Sequence, residues 1–219
     1  MNIILIFKPW EHQFCKKIKK MSYNKFTLEK VVEQFKVDTL SWSDCLTGVK
    51  ELQPSAMLKQ FLEQNHEWAL AQLTEKARSE LLVMPILADI RNQANKQITI
   101  FSGKTFDVDS KLGLKGQCDF IVSKSSDIFV LRAPIAAIVE AKKGAIEIAW
   151  GQCAAEMIAS RIFNEKHDVK IPFIYGVVTS GDYWQFLKLD QNTLYIQPEP
   201  LHYDKLELIM GFLYKVFTE

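Results

Sequence analysis

The chain has 219 residues, of which 48% are hydrophobic and 24% are charged, and its net charge is +1. This length and composition predict one globular domain, or one domain with a helical extension. A nearly neutral chain has no overall positive field, so a nucleic-acid partner would have to be bound by a locally positive cleft. No apolar run reaches the length of a membrane span, which argues against a membrane partner.

Cysteine and histidine usage bears on the compartment. The four cysteines and four histidines are scattered, without the paired spacing of a zinc finger. We therefore expect free, buried thiols in a reducing environment and a cytoplasmic protein. Residues 1–20 differ in character from the segment that begins at Met21. One interpretation is that they derive from an upstream start and do not belong to the native protein.

Helical periodicity dominates the amino-terminal part. Thr27 is placed as the N-cap of a first helix. From Leu58 to Ile90 the pattern is helical nearly throughout, and Pro85 should kink or divide this segment. We expect residues 1–73 to form a helical extension and residues 74–219 to form the core domain. The core candidates on the long helical segment are Leu58, Phe61, Leu62, Ala69, Leu73, Ala77 and Leu81.

Alternating and apolar runs predict strands in the middle of the chain. Residues 98–108 predict two strands separated by a turn at Ser102-Gly103-Lys104. Ile128–Leu131 is a candidate for a short extra strand before a proline. An apolar stripe from about Ala145 to Asn164 predicts a crossover helix. Such a crossover implies that the strand predicted in 172–178 runs parallel to the strand before the helix.

The carboxyl-terminal part predicts a hairpin and a closing helix. Residues 183–189 and 193–196 predict two strands joined by a turn, and the helix is expected to begin at Asp204. Tyr183 and Trp184 stand at the start of the hairpin. They would either stack on bases or pack in the core, and aromatic residues on a strand favour the core.

Three residues of the central strands carry the candidate chemistry. Asp119 lies in one strand segment, and Glu140 and Lys142 lie at the end of the apolar run 135–143. Because side chains alternate along a strand, Glu140 and Lys142 share one face. Two neighbouring strands would then bring two carboxylates and an ammonium group together at one edge of the sheet. The same alternation predicts one face for Ile135, Ala137, Val139 and Ala141, and one face for Cys118, Phe120 and Val122.

The residue types of this cluster point to a divalent metal ion. Two carboxylates a few ångströms apart repel each other unless a cation lies between them. Hard oxygen ligands suit Mg²⁺, which proteins hold by one or two carboxylates plus substrate phosphates. Mn²⁺ is a possible substitute for Mg²⁺. A lysine at such a site can orient or deprotonate water, or steady charge on a phosphorane. Lys115 and Lys143 are candidate phosphate contacts.

Asp119, followed after a gap of twenty residues by Glu140-Ala141-Lys142, resembles the signature of the PD-(D/E)XK nuclease superfamily, the restriction-endonuclease-like phosphodiesterases. The resemblance implies a mixed β-sheet core flanked by helices and Mg²⁺-dependent hydrolysis of a phosphodiester, with DNA as the expected substrate. It also implies that Asp119 and Glu140 bind the metal, that the Ala141 carbonyl completes the ligand shell, and that Lys142 acts on the attacking water.

The resemblance implies roles on the flanking helices as well. In many of these nucleases an acid on the helix before the sheet supplies a further metal ligand; Glu80 is the first candidate and Glu75 the reserve. In several branches a glutamine on the helix after the sheet points at the active site, which suggests that role for Gln152. The alternative for each is an ordinary solvated side chain on a helix surface.

Departures from the family pattern leave rival interpretations open. The first motif is Gly-Gln-Cys-Asp, without the proline of the superfamily's name and without an arginine before Asp119, so the subfamily is undetermined. Asp107 and Asp109 are weaker candidates, because no Glu-x-Lys stands at a suitable spacing from them.

One rival is a catalytically inactive module of the same fold that binds nucleic acid or a protein. The other is an unrelated α/β domain in which Glu140 and Lys142 form a surface ion pair. A homodimer is also left open, as is the choice between DNA and RNA. A separation of the Asp119 and Glu140 carboxylates greater than about 8 Å, a Debye length, would exclude the nuclease interpretation.

Overall fold

The computed structural model describes residues 21–218, and these form a mixed β-sheet with helices packed on both faces. The predicted α/β class, with a mixed sheet flanked by helices, is confirmed. The interpretation of residues 1–20 as an upstream extension lies outside the described residues, as does Cys15.

The described strands form one sheet of eight strands in the order β1-β7-β6-β5-β4-β3-β2, with β8 paired to β6 outside that path. β3 pairs antiparallel with β4, and β4 pairs parallel with β5. The strands are β1 (Asp38–Ser41), β2 (Thr99–Thr105), β3 (Gln117–Ser123), β4 (Ile135–Ala141), β5 (Phe173–Thr179), β6 (Tyr183–Asp190), β7 (Thr193–Ile196) and β8 (Leu201–His202).

The helices include the predicted capped, crossover and closing helices. The Thr27 hydroxyl accepts a hydrogen bond from Lys30 N, so the predicted N-cap of the first helix is confirmed. The crossover helix joins the parallel strands β4 and β5, as the sequence predicts. The helices are α1 (Leu28–Phe35), α2 (Ala56–Ala71), α3 (Glu75–Arg78), α4 (Met84–Gln93), α5 (Trp150–Lys166) and α6 (Leu206–Thr218).

Each face of the sheet carries a hydrophobic core. One core packs the sheet against α2, α4 and α6 and contains Phe120, Val139 and Trp184. The other packs it against α1 and α5 and contains Ile138 and Met157. Strand β4 is therefore buried on both faces, which explains why its sequence is a nearly continuous apolar run instead of an alternating one.

Two glycines bring α5 close to its neighbours. A Cβ atom at Gly176 of β5 would lie 2.5 Å from Met157 Sδ, and one at Gly151 of α5 would lie 2.3 Å from the carbonyl carbon of Thr27. Neither position leaves room for a side chain, so α5 packs directly on β5 and on the start of α1. This packing places the first two turns of α5 against the end of β4.

The long helical segment is interrupted at a different place from the predicted one. The break follows α2, where Leu73 adopts φ +52°, and Leu73 is 69% exposed, so its predicted core position is wrong. Pro85 lies in the first turn of α4, directly after a π-helical turn, Ser79–Val83. The wider π turn accommodates a residue that has no N–H to donate, so the helix continues past the proline.

Two predictions for the strands are wrong. β2 runs without interruption through the turn predicted at Ser102-Gly103-Lys104. Gly103 adopts φ +61° within the strand, and its carbonyl accepts a hydrogen bond from Gln117 Nε2 at 2.6 Å. Ile128–Leu131 forms no strand. There the Asp127 carboxylate accepts hydrogen bonds from the next backbone N–H groups and holds a turn.

Two predicted side-chain faces are also corrected. Cys118 lies in the α5 core, on the face opposite to Phe120, so the alternation of faces along β3 is broken at Asp119. Ile135 also faces the α5 core, because the register shifts between Val122 and Ser123.

Strand β1 lies within residues 1–73, for which the sequence predicts a helical extension. Residues 38–41 pair in parallel with β7 and form one edge of the sheet. All four residues are exposed, so their sequence, Asp-Thr-Leu-Ser, carries no strand alternation. The amino-terminal part therefore contributes to the same sheet as the candidate site.

Candidate active site

The ends of β3 and β4 bring together the acids that the sequence singles out. Asp119 stands near the start of β3 and Glu140 near the end of β4, and antiparallel pairing places these two positions at the same edge of the sheet. The backbone N–H of Ala141 donates a hydrogen bond to Asp119 Oδ2 at 2.8 Å. This N–H group bonds to a side chain instead of to a backbone carbonyl of a neighbouring strand. Asp119 therefore contacts the Glu140–Ala141 peptide directly.

Glu140 is the centre of a hydrogen-bonded cluster. Its Oε1 accepts from Lys142 Nζ at 2.5 Å and from Gln152 Nε2 at 2.6 Å. The same amide nitrogen of Gln152 donates to Glu156 Oε1 at 3.1 Å. Strand β4 supplies the acid, the residue directly after its end supplies the lysine, and the first turn of α5 supplies the amide. The structure thus brings Asp119, Glu140, Lys142 and Gln152 together.

Burial and the second acid disfavour a charge on Glu140. Glu140 is 1% exposed. Its pKa is raised from 4.5 to about 8, first by burial and then by the negative charge of Asp119, while the charge of Lys142 acts in the opposite direction. The Oε2 atom is buried and has no hydrogen-bond partner. An unpaired, buried carboxylate oxygen beside a second carboxylate is favourably placed to bind a cation.

Lys142 keeps its proton. Burial lowers the pKa of its ammonium group, but the charges of Glu140, Asp119 and Glu75 together more than offset this effect, and the net pKa is raised. Lys142 therefore supplies positive charge and N–H donors to the site.

Glu156 is a site residue that received no role from the sequence. It is fully buried, and burial followed by the charge of Glu140 raises its pKa well above the usual value. Its Oε2 is buried without a hydrogen-bond partner. Gln152 and Glu156 stand one turn apart, a spacing that a solvated helix face also shows, so no local pattern signals the burial of Glu156.

An open cleft leads to Asp119. It has a volume of about 370 Å³ and is lined by the α3 region, by β2 and by the ends of β3 and β4, including Asp119 and Ala141. Glu75 and Glu80 both line it. Glu80 pairs with Lys76 at 3.4 Å and its side chain is 62% exposed, whereas the charge of Glu75 raises the pKa of Lys142. The reserve candidate, Glu75, therefore interacts electrostatically with Lys142 of the cluster, whereas Glu80 pairs with Lys76.

Arg78 connects this helical region to the sheet, and nothing in the sequence pattern singles it out. Its guanidinium Nη1 donates to Ser180 O at 2.6 Å and lies 3.6 Å from Asp182 Oδ2. Ser180 follows Thr179, whose carbonyl accepts from Lys142 N at 2.7 Å. Arg78 thereby links the helices over the cleft to the turn beside Lys142.

The donor set fits a hard divalent cation in part. Among residues 21–218, no group of three or more His, Cys, Asp or Glu side chains is arranged to hold a metal ion. Two carboxylates and one backbone carbonyl remain, from Asp119, Glu140 and Ala141. This set suits Mg²⁺, which commonly uses one or two carboxylates and fills the remaining positions with water and phosphate oxygens. The unpaired Oε2 of Glu140 is the observation that supports the fit.

The other predicted residues lie outside this cluster. Lys143 is exposed directly after Lys142, and Lys115 is partly buried and does not line the cleft. Asp107 Oδ1 accepts from Gly116 N, and Asp109 Oδ1 accepts from two N–H groups of the following loop. These two acids hold the loop before β3, which gives them a structural role in place of a ligand role.

Comparisons with known proteins place no relative beside this chain: no family model, no curated protein and no solved structure matches it. Within the described residues, no helix combines the length and the apolar character that crossing a membrane requires. The fold and the cluster define an α/β domain with two carboxylates, a lysine and a glutamine gathered at one sheet edge.

Proposed function

We propose that the chain is a Mg²⁺-dependent phosphodiesterase with a restriction-endonuclease-like core, and that it cleaves nucleic acid, with DNA as the expected substrate. The observation that carries the proposal is the meeting of Asp119, Glu140 and Lys142 at the ends of two adjacent strands. Perturbed carboxylates beside an open cleft are typical of catalytic sites.

The two acids are the proposed metal ligands. Asp119 and Glu140 would hold the ion through their carboxylates, and the Ala141 carbonyl would complete the protein's share of the ligands. When bound, Mg²⁺ would act as a Lewis acid on a phosphate oxygen and lower the pKa of a bound water. Gln152 fixes Oε1 of Glu140 by its hydrogen bond and so leaves Oε2 for the ion.

Lys142 is proposed to orient the attacking water and to stabilise negative charge on the phosphorane. Its raised pKa favours these roles over removal of a proton, because the ammonium form prevails. This narrows the role expected from the sequence, which allowed the lysine to deprotonate the water. Lys143 is proposed as a phosphate contact next to the cut bond.

The proposed compartment is the reducing cytoplasm. The described cysteines, Cys45, Cys118 and Cys153, are free and buried. Thiols of this kind are usual in proteins that work in a reducing environment.

Cleavage assays test this function. Purified protein is incubated with plasmid, linear duplex and single-stranded DNA, and with RNA, in Mg²⁺ or Mn²⁺. We expect cleavage that requires the divalent ion and falls by at least about 100-fold in Asp119→Asn, Glu140→Gln and Lys142→Met. Glu33→Gln, on the exposed surface of α1, is the control that should keep full activity. No cleavage of any substrate with either ion would contradict the proposal.

A second candidate is an inactive module of the same fold that binds nucleic acid or a protein. The observation that favours it is that Glu140 is buried and already accepts hydrogen bonds from Lys142 and Gln152, so the cluster is partly satisfied without a metal. Calorimetric titration with Mn²⁺ separates the two. If the chain is an enzyme, the wild type should bind Mn²⁺ and the double variant Asp119→Ala, Glu140→Ala should not. If it is an inactive module, neither the wild type nor the double variant should bind the ion.

A further inference from the structure

A second cleft opens beside the candidate active site, beyond the turn that follows Lys142. It has a volume of about 320 Å³ and is lined by residues 144–147, Ser180, Tyr183 and Pro200. Its walls are the segment after β4 on one side, and on the other the turn between β5 and β6, the first residue of β6 and the residue before β8. None of these residues belongs to the acid cluster.

The two clefts are within reach of one bound strand of nucleic acid. Lys142 N donates to Thr179 O at 2.7 Å, so the two turns that form the second cleft begin side by side at Lys142. Gly144 follows two residues later, a chain distance of at most about 7 Å. The second cleft therefore begins within about 7 Å of the Lys142 backbone, close enough for one bound strand to reach both clefts.

Tyr183 gives the second cleft an aromatic wall. Its side chain is 47% exposed, whereas its neighbour Trp184 is fully buried and donates its indole N–H to Gly181 O. The sequence expectation that these aromatic residues pack in the core therefore holds for Trp184 alone. Tyr183 pairs across the sheet with His202 of β8, and the two rings meet edge to face at 5.1 Å. A ring held in this way loses little conformational freedom when a ligand stacks on it.

The polar groups around this ring suit a nucleobase next to a phosphate. Lys143 is exposed and directly precedes Gly144, which lines the cleft, so its charge can attract the backbone of the strand. Glu147 is one of the lining residues, and a carboxylate can accept a hydrogen bond from an exocyclic amine of a base. An aromatic ring that is accessible beside a cation is the usual arrangement for binding an unpaired base by stacking.

We propose that this cleft holds one unstacked base of the substrate, stacked on Tyr183, close to the phosphodiester that is cut. The inference rests on the proposed phosphodiesterase activity and names its substrate class: a strand with an unpaired base, as in single-stranded DNA, a flap or an opened end. A base inside a duplex is stacked on both sides, and it cannot enter without being extruded from the helix.

The test compares Tyr183→Ala with Tyr183→Phe, because phenylalanine keeps the ring and removes only the hydroxyl. Phe129→Ala is the matched control, since Phe129 is 84% exposed in the loop before β4, at the end of that strand away from Lys142. Binding to a single-stranded oligonucleotide is measured in EDTA by fluorescence anisotropy, and stacking by the quenching of 2-aminopurine placed in the strand.

We expect Tyr183→Ala to raise the Kd for the single strand about five- to tenfold and to abolish the quenching. Tyr183→Phe and Phe129→Ala should behave as the wild type, and binding to a paired duplex of the same sequence should not change. Equal quenching of a 2-aminopurine RNA would support the cleft and show that the sugar is not read.

The base cleft and the activity can fail separately. If the wild type cleaves DNA but Tyr183→Ala matches Tyr183→Phe in binding and quenching, the base cleft is wrong and the activity stands. If the wild type binds and quenches the single strand through Tyr183 but cleaves nothing in Mg²⁺ or Mn²⁺, the phosphodiesterase is wrong and the base cleft stands. Cleavage and binding restricted to a fully paired duplex would also overturn the base cleft.

Discussion

Ionisation of the Glu140 side chain is unfavourable in this site. It is placed in a strand that is buried on both faces, where an ionised carboxylate is unfavourable. The nearby Asp119 adds repulsion, and Lys142 and Gln152 compensate only one of the two oxygens of Glu140. An apolar residue at this position would remove the cost, so retaining an acid there is better explained by a functional role than by stability.

The substitution Glu140→Gln should change how the stability of the metal-free protein depends on pH. The pKa of Glu140 is raised from 4.5 to about 8, so between these values the folded protein holds a proton that the unfolded chain has released. Stability is therefore fully present below the unfolded pKa and falls as the pH rises through about 8. The neutral amide should flatten this decline and raise the Tm near pH 8 by roughly several °C.

Thermal unfolding in EDTA over this pH range measures the effect. Glu80→Gln is the matched control, because this exposed glutamate should leave the pH profile unchanged. Part of the decline should remain in Glu140→Gln, because the pKa of Glu156 is raised as well. An identical decline in Glu140→Gln and the wild type would show that Glu140 is not the group that titrates.

Individual elements differ in how far their sequence determines them. The cap at Thr27, the apolar run of β4, the crossover helix and the hairpin follow from local periodicity, and the structure has them where the sequence predicts. The placing of Glu140 and Lys142 on one face also follows from strand alternation, and their side chains meet. These features need no knowledge of distant contacts.

Other features of the site depend on contacts that no local pattern encodes. Cys118 and Phe120 lie on opposite faces, and Asp119 between them accepts a hydrogen bond from a backbone N–H of β4. β1 is a strand only because β7 offers it a partner. Glu156 reads as a surface residue of α5 until the close packing of that helix buries it. Tertiary contacts decide all three, so the sequence alone could not predict them.

Because α5 packs closely on α1, we expect a glycine-to-alanine substitution in α5 to lower the stability of the protein, whereas this substitution in a helix ordinarily raises it. Replacing a glycine inside a helix by alanine usually stabilises the helix by about 0.5–1 kcal/mol. In Gly151→Ala the new Cβ would lie 2.3 Å from the carbonyl carbon of Thr27, where a backbone has to move. We expect this variant to lose about 1–3 kcal/mol of stability, seen as a Tm lowered by several °C.

Gly144→Ala is the control for this substitution. A Cβ atom there meets nothing within 4 Å, and Gly144 does not adopt a positive φ. Its Tm should therefore stay unchanged or rise slightly. If both alanine variants were equally stable, the contact between α5 and the start of α1 would not be as close as the structure shows.

On the scale of the whole molecule, the amino-terminal part and the sheet share both cores. Val31 of α1 is buried with α5 in one core, and Leu58 and Leu62 of α2 are buried in the other. The carboxylate of Asp89 in α4 accepts from Ser55 N at 3.0 Å, directly before α2. Together with the pairing of β1 and β7, these contacts predict that residues 21–218 unfold as one cooperative unit.

A fragment that begins at residue 74 should therefore fail to fold cooperatively. Removing residues 21–73 would expose the partners of at least five buried side chains, among them Val31, Leu58 and Leu62. At about 1.5–3 kcal/mol for each large apolar side chain, five of them account for roughly 7.5–15 kcal/mol, which is comparable to the total stability of roughly 5–15 kcal/mol that is usual for a domain. Thermal unfolding followed by circular dichroism should show no sigmoidal transition for the fragment, and one transition for the full chain.

The point variant Leu62→Ala separates a shared core from a detachable extension. In one cooperative unit, the cavity it leaves lowers the single Tm of the full chain without producing a second transition, at a cost of about 2–5 kcal/mol. An independent extension would instead melt early in this variant and leave the main transition at the wild-type temperature. A fragment from residue 74 that unfolds cooperatively near the wild-type temperature would likewise show that residues 21–73 are a detachable extension. The acid cluster would then belong to a core that is stable without α1, β1 and α2.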